Sequence, residues 1–307
     1  MKGIVVKSTG SWYAVMDESR KIVNCRIKGK FRMQGIKSTN PIAVGDKVEF
    51  NIEDNDTGII SEIEKRKNYI IRKSINLSKQ SHIIAANIDQ AFLIATLVFP
   101  RTSTGFIDRF LVTAEAYNIP TIILFNKSDL MDAETLEIQK EMIEMYERIG
   151  YPCYVISALK KQDLEMLKTL IKDKTNLVSG HSGVGKSTLV NSLEPGLNLK
   201  TGEISQTHSK GMHTTTFAEM LPLSFGGFII DTPGIKELGL IHIKKEELAH
   251  FFPEIRNIMH KCHFNNCRHV NEPKCAVKEA VEKGEISESR YYNYLSMYNS
   301  EELVETF

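Results

Sequence analysis

Gly180-His181-Ser182-Gly183-Val184-Gly185-Lys186-Ser187, followed by Thr188, fits the pattern G-x-x-x-x-G-K-[ST]. Glycines in such a loop let the backbone curl until successive N–H groups point inward. The helix that follows adds its positive end, so the loop cradles phosphate. Lys186 then reaches the β- and γ-phosphates, and Ser187 ligates Mg²⁺. Asn126-Lys127-Ser128-Asp129 offers a base reader. The Asp129 carboxylate accepts from N1–H and the 2-amino group of guanine together. Adenine presents neither donor there, so it would leave a polar group unpaired. The stem of Lys127 can lie along the base, Asn126 can tie this loop to the phosphate loop, and Ser157-Ala158 can bring a backbone N–H to guanine O6. Asp231-Thr232-Pro233-Gly234 completes the set. Asp231 would hold the cation through water, and the Gly234 N–H would sense the γ-phosphate. The stretch 210–216 is rich in glycine and threonine and suits a switch. One of its threonines, Thr215 among them, can bind Mg²⁺ with the triphosphate. His213 can orient the attacking water, a purely structural histidine being the alternative. Ile235 stands where many GTPases carry a water-orienting glutamine. Slow intrinsic hydrolysis, raised when a partner orders the switch, is therefore expected.

A second cluster lies near the carboxyl terminus. Cys262-x4-Cys267-x-His269-x5-Cys275 gathers three thiols and an imidazole within a short loop. Four such ligands match a tetrahedral Zn²⁺ with no open position, so the ion would be structural and would supply folding energy. Unbound thiols or an iron–sulfur site are the alternatives. Cys25 and Cys153 fall in predicted strands and read as core residues. His250, His260, Lys261, His263, Arg268 and Lys274 surround the cluster and either face phosphate or form a solvated loop.

The elements that must carry these groups change character along the chain. Five short β-type runs fill the first 65 or so residues: 3–7, 12–16, 22–27, 47–51 and 58–63. Turn residues punctuate them, which predicts a small barrel of the OB type, an SH3-like barrel or open sheet being the alternative. Residues 65–88 contain no acid and read as a linker. Strand-like runs at 91–98, 121–125, 153–156, 176–178 and 228–230 then alternate with helical patterns, which predicts a parallel α/β sheet with helices on both faces. Each nucleotide motif sits at the carboxyl end of one of these strands, where ligands bind in open α/β sheets. The order is unusual, because Asn126–Asp129 and Ser157-Ala158 precede the phosphate loop. A circular permutation accounts for it, with residues 172–175 as the new join. The chain therefore leaves the sheet through Asp231–Gly234 and runs directly into a helical carboxyl-terminal region beyond residue 242. Nucleotide state is expected to be transmitted there as loop ordering.

Composition bounds the reading. Hydrophobic residues make up 42% and charged residues 25% of the 307, which excludes a wholly disordered chain. No apolar run approaches the about 18 residues of a membrane span, and the amino terminus carries no export-type apolar stretch, so a cytoplasmic protein is expected. The net charge of +1 calls for no nucleic acid in bulk. Locally, Arg20, Lys21, Arg26, Lys28, Lys30, Arg32 and Lys37 make one basic stretch of the barrel, either an RNA-binding face or a solvated one.

Taken together, the motif order, Gly211-Met212-His213-Thr214-Thr215, the Cys262/Cys267/His269/Cys275 spacing and the amino-terminal β region resemble the ribosome small-subunit-dependent GTPases of the RsgA (YjeQ/YloQ) family. The resemblance spans nearly the whole chain. It implies a multidomain fold: an N-terminal OB-fold β-barrel over 1–66, a central circularly permuted α/β P-loop GTPase domain over 67–242, and a C-terminal helical zinc-binding domain over 243–307. It also implies late maturation of the small ribosomal subunit, with hydrolysis of GTP to GDP and phosphate stimulated by that subunit. The expected partners are GTP or GDP and the subunit with its rRNA, for a monomer that meets no membrane. Lys186, Ser187 and His213 are the catalytic candidates. Two other readings stand beside it: a GTP-dependent switch module that docks without needing hydrolysis, and a GTPase for which zinc is cargo.

Overall fold

The computed structural model describes residues 1–27, 41–53, 57–73, 81–197, 199, 218–231, 240, 243–300 and 303. Strands β1 (Lys2–Ser8), β2 (Tyr13–Asp17), β3 (Ile22–Ile27), β4 (Lys47–Ile52) and β5 (Gly58–Ile63) form the amino-terminal unit. β1 pairs with both β2 and β4, and β3 pairs in parallel with β5, so the strands close in the order 1-2-3-5-4-1. Closure removes the exposed edges that so short a sheet would otherwise present. Alternation along the strands turns Val5, Tyr13, Val15, Val23, Cys25, Phe50 and Ile60 into one barrel core.

Next come β6 (Tyr69–Lys73) and β7 (Ser81–Ala86), an antiparallel pair forming a sheet of their own. Reading 65–88 as a linker is therefore corrected. Ile70, Ile71 and Ala85 are buried, so the segment packs a side of its own into the protein. Ala85 also bridges to Val44, which seats the hairpin beside the barrel.

The central unit runs β8 (Gln90–Ala95), α1 (Thr104–Ala116), β9 (Thr121–Phe125), α2 (Ala133–Ile149), β10 (Cys153–Val155), α3 (Lys161–Ile171), β11 (Thr175–Ser179), α4 (Lys186–Leu193), β12 (Glu219–Pro222) and β13 (Phe228–Asp231). Its strands lie in the order β10-β9-β8-β11-β13-β12, parallel except for β12. β8 is buried along its whole length, as a strand covered on both faces must be. Its residues divide accordingly: Ala91, Leu93 and Ala95 join the core with α1 and Tyr146 of α2, while Phe92 and Ile94 join Leu167, Leu189 and Val190 of α3 and α4. β12 was not foreseen. It pairs with β13 on one side and, through Lys7 and Glu219, with β1 of the barrel on the other, making one 11-stranded sheet of the two units.

The carboxyl-terminal unit contains α5 (Pro253–Arg256), α6 (Ala276–Glu282) and α7 (Glu288–Tyr298). Its core includes Val112 of α1, so α1 is shared between two cores and is buried nearly all round. No helix among the described residues is long and apolar enough to cross a membrane.

Candidate functional site

The phosphate loop leaves β11 and turns directly into α4. Two of its glycines are required by geometry. Gly180 adopts φ +150° with Ile94 O only 2.4 Å from where a Cβ would stand, and Gly185 adopts φ +97° with Asn126 Nδ2 at 2.5 Å. No side chain caps α4 at Gly185, which leaves the first-turn N–H groups, including those of Ser187 and Thr188, for an anion. Lys186 Nζ folds back over the loop and donates to Gly180 O and His181 O, both at 2.7 Å. Negative charge in the loop would compete for that ammonium.

Asn126 is the joint between motifs. Buried at the end of β9, it donates to Val184 O at 2.9 Å and accepts from Ala158 N at 3.1 Å. A single amide thus fixes the base-reading loop, the phosphate loop and the Ser-Ala loop relative to each other. A guanine oxygen would share the Ala158 N–H with Asn126. Lys127, in the left-handed region at φ 66°, donates to Gly183 O at 2.8 Å and to Phe99 O. Ser128 donates its N–H to Ile156 O at 3.2 Å. The Asp129 carboxylate is exposed, and the Ser157 hydroxyl holds it below the usual carboxylate range. Ser157 is itself buried and donates its N–H to Asp163 at 2.8 Å.

Asp231 ends β13, paired with Val178 in the neighbouring β11, which places its backbone one strand from the phosphate loop. His213, Thr215 and Gly234 lie outside the described residues, as do Lys28, Lys30, Arg32 and Lys37. The structure also adds residues that the sequence did not single out. The loop after β8, the central strand of the parallel set, brings the Phe99 carbonyl to Lys127, and Pro100 lies 3.2 Å from a Cβ built on Gly183. Phe106 of α1 stacks on His181 with ring centroids 3.7 Å apart. Position was the available signal, since a strand between two motif-bearing strands must end at the same site.

In the carboxyl-terminal unit, the ligand atoms of Cys262, Cys267, His269 and Cys275 all lie within 4.8 Å of each other. His269 Nδ1 stands 3.6 Å from Cys262 Sγ and 3.4 Å from Cys275 Sγ, and the two sulfurs are 4.0 Å apart. A tetrahedral ion with bonds of about 2.0–2.3 Å needs ligand atoms about 3.4–3.8 Å apart, so the set fits a metal ion. Burial pushes the Cys267 thiol up to about 12, an environment in which a cation is what makes thiolates favourable. Outer contacts hold the loop: Tyr291 OH donates to His269 O at 2.7 Å and Tyr294 OH to Arg268 O at 2.6 Å. Cys275 is the N-cap of α6.

On the barrel, register carries Trp12 opposite Arg26 on the outward face, and the guanidinium lies 3.9 Å from the indole centroid. Arg26 makes no ion pair among the described residues, and both side chains are exposed. An exposed ring with a guanidinium stacked over its face is the kind of surface on which a nucleic-acid base stacks.

Comparison with known proteins agrees with this geometry. The RsgA GTPase family profile matches residues 63–241, and the RsgA N-terminal domain profile matches residues 2–60. The chain is 55% identical to the small ribosomal subunit biogenesis GTPase RsgA of Bacteroides fragilis (strain YCH46) over 302 residues, 98% of this chain and 97% of that protein. It is 55% identical to the protein of the same name from Christiangramia forsetii over 305 residues, 98% and 97% of the two chains. Among solved structures, YjeQ from Thermotoga maritima aligns with a TM-score of 0.81 at 39% identity, covering 97% of this chain and 96% of that one. YloQ, described as a circularly permuted GTPase, aligns at 0.76 and 35% identity, covering 97% and 93%.

Proposed function

Since the chain belongs to the RsgA GTPase family, we propose that it binds the small ribosomal subunit and its rRNA and hydrolyses GTP to GDP and phosphate during late maturation of that subunit. The observation that carries this is the joining of three motifs through one buried amide, Asn126, in the permuted order. It works as a monomer in the cytoplasm, in three units over 1–66, 67–242 and 243–307, with the β6–β7 hairpin of the second seated against the first.

Asp129 reads N1–H and the 2-amino group of guanine, and Ser157 keeps it ionised for that task. Lys127 is tethered at its ammonium end by Gly183 O and Phe99 O, which presents its stem to the base. The amides of residues 180–188 hold the phosphates. Lys186 moves from the loop carbonyls onto the β- and γ-phosphates and stabilises the charge of the transferring phosphoryl group. Mg²⁺, when bound with the nucleotide, neutralises phosphate charge, and Ser187, Asp231 and a switch threonine such as Thr215 would hold it. The Gly234 N–H senses the γ-phosphate, and His213 orients the water. Zinc is the ion the Cys262/Cys267/His269/Cys275 set suits, and four protein ligands leave it a structural role and not that of cargo.

Hydrolysis measured with and without purified small subunits tests the proposal. Turnover should rise by about tenfold or more on adding subunits, as expected when a partner completes a GTPase site, and ATP should not compete with GTP. Tight GTP binding with no stimulated turnover would leave the switch-module reading instead.

A further inference from the structure

A cleft of about 560 Å³, lined by no residue of the nucleotide motifs, lies where α2 of the central unit meets the carboxyl-terminal unit. Its size is within the range of ligand pockets. The floor is apolar: Met142, Met145 and Ile149 from α2, with Ile258 and Ile286 from across the junction. Methionines give such a floor an adaptable shape. Around it stand Glu141, Glu144 and Glu285, all exposed and none in an ion pair among the described residues. Arg148 is the one cation of the lining. Glu254, which also lines the cleft, is engaged by Arg290 at 2.6 Å. The opening therefore presents carboxylates around an apolar base.

From this we infer that the cleft docks an extended Lys/Arg-rich segment of a small-subunit protein, with an apolar side chain of that segment seated on the methionines. The inference rests on the proposed function for its setting. A ribosomal particle offers two surface chemistries, RNA phosphate and the basic proteins that neutralise it. The acidic rim repels the first and attracts the second, and the apolar floor asks for side chains that a polyamine does not have. A segment seated here touches both units at once.

The test uses the full chain carrying a photoreactive benzoylphenylalanine at Met142, irradiated with purified small subunits and a non-hydrolysable GTP analogue. Crosslinks should map to a Lys/Arg-rich stretch of a subunit protein. They should fall about tenfold or more in the triple variant Glu141→Lys, Glu144→Lys, Glu285→Lys, as like charges across an interface demand. Sedimentation with subunits, read in parallel, separates the two claims. Co-sedimentation with crosslinks only to rRNA, or with none, overturns the docking inference and leaves the GTPase reading standing. Protein crosslinks unaffected by charge reversal overturn the inference as well. Failure to co-sediment overturns the subunit reading and the inference with it.

Discussion

At the scale of single residues, the site's selectivity depends on a carboxylate that is exposed to ligand yet held by protein. Ser157 donates to Asp129 and lowers its pKa, so the group stays ionised above that lowered value and loses its charge only as pH falls through it. GTP affinity should therefore remain level down to about pH 4, the ordinary aspartate value, and fall only below it. A decline beginning in the histidine range would show that another group governs recognition. Replacing Asp129→Asn puts an amide where two donors arrive, and GTP affinity should drop by about a hundredfold or more. Xanthosine triphosphate, with a carbonyl in place of the 2-amino group, should improve; equilibrium titration with both nucleotides reads the change. On the barrel, the chain's single tryptophan is also its reporter. Single-stranded rRNA fragments should quench Trp12 fluorescence, and Trp12→Ala should weaken their binding by about 1–3 kcal/mol. The residues with named chemistry were legible because their types and spacing are dictated by the ligand. Phe99, Pro100 and Phe106 were not, since a carbonyl or a ring edge can be supplied by many residue types.

Among elements, what could be read was whatever repeats with the period of its own structure. The five barrel strands alternate against one core, and each parallel strand is an apolar run ending in a motif. The β6–β7 hairpin was hidden by its charge: Lys65, Arg66 and Lys67 precede it and draw the eye from Ile70 and Ile71, which the fold buries. β12 was hidden by its brevity, and its pairing with β1 joins residues too distant in sequence for any local pattern to announce. The metal loop shows how an element can depend on a ligand. Cys275 begins α6 and also contributes to the metal set, so helix start and metal site share one residue. Cys275→Ser separates the two tasks, since a serine oxygen caps a helix well but is a poor zinc ligand. The variant should bind substoichiometric zinc and lose more than about 4 kcal/mol from the carboxyl-terminal unit, the loss expected when a structural metal goes. Zinc content and thermal unfolding measure both, and full stability at low zinc would show that the loop folds without its ion.

For the molecule as a whole, permutation sets how the nucleotide site meets the carboxyl-terminal unit. In sequence, Asp231 is followed directly by that unit, but a second connection is already built through α1. Its Phe106 stacks on His181 of the phosphate loop. Two residues on, and on the other side of the helix, Asp108 accepts from Arg290 at 2.6 Å, from Asn293 at 2.5 Å and from Tyr146 at 2.9 Å, all inside the junction. Burial opposes the charge on Arg290, but the Asp108 and Glu254 carboxylates raise its pKa beyond the ordinary guanidinium value, so the group stays charged. Removing one partner from such a buried set costs about 3–5 kcal/mol, because the remaining charge has no water to return to. The junction is therefore stiff, and a displacement of His181 has a short path of packed side chains to α7. Hydrogen exchange in α7 should differ between GDP and a GTP analogue by about fivefold or more, the lower end of ordinary coupling energies. Phe106→Leu keeps apolar bulk but removes the ring that stacks on His181, and should shrink that difference while nucleotide affinity is followed in the same samples. Equal exchange with the two nucleotides would mean that the carboxyl-terminal unit does not sense the γ-phosphate. A difference untouched by Phe106→Leu would assign the coupling to the direct chain passage beyond Asp231 and not to α1.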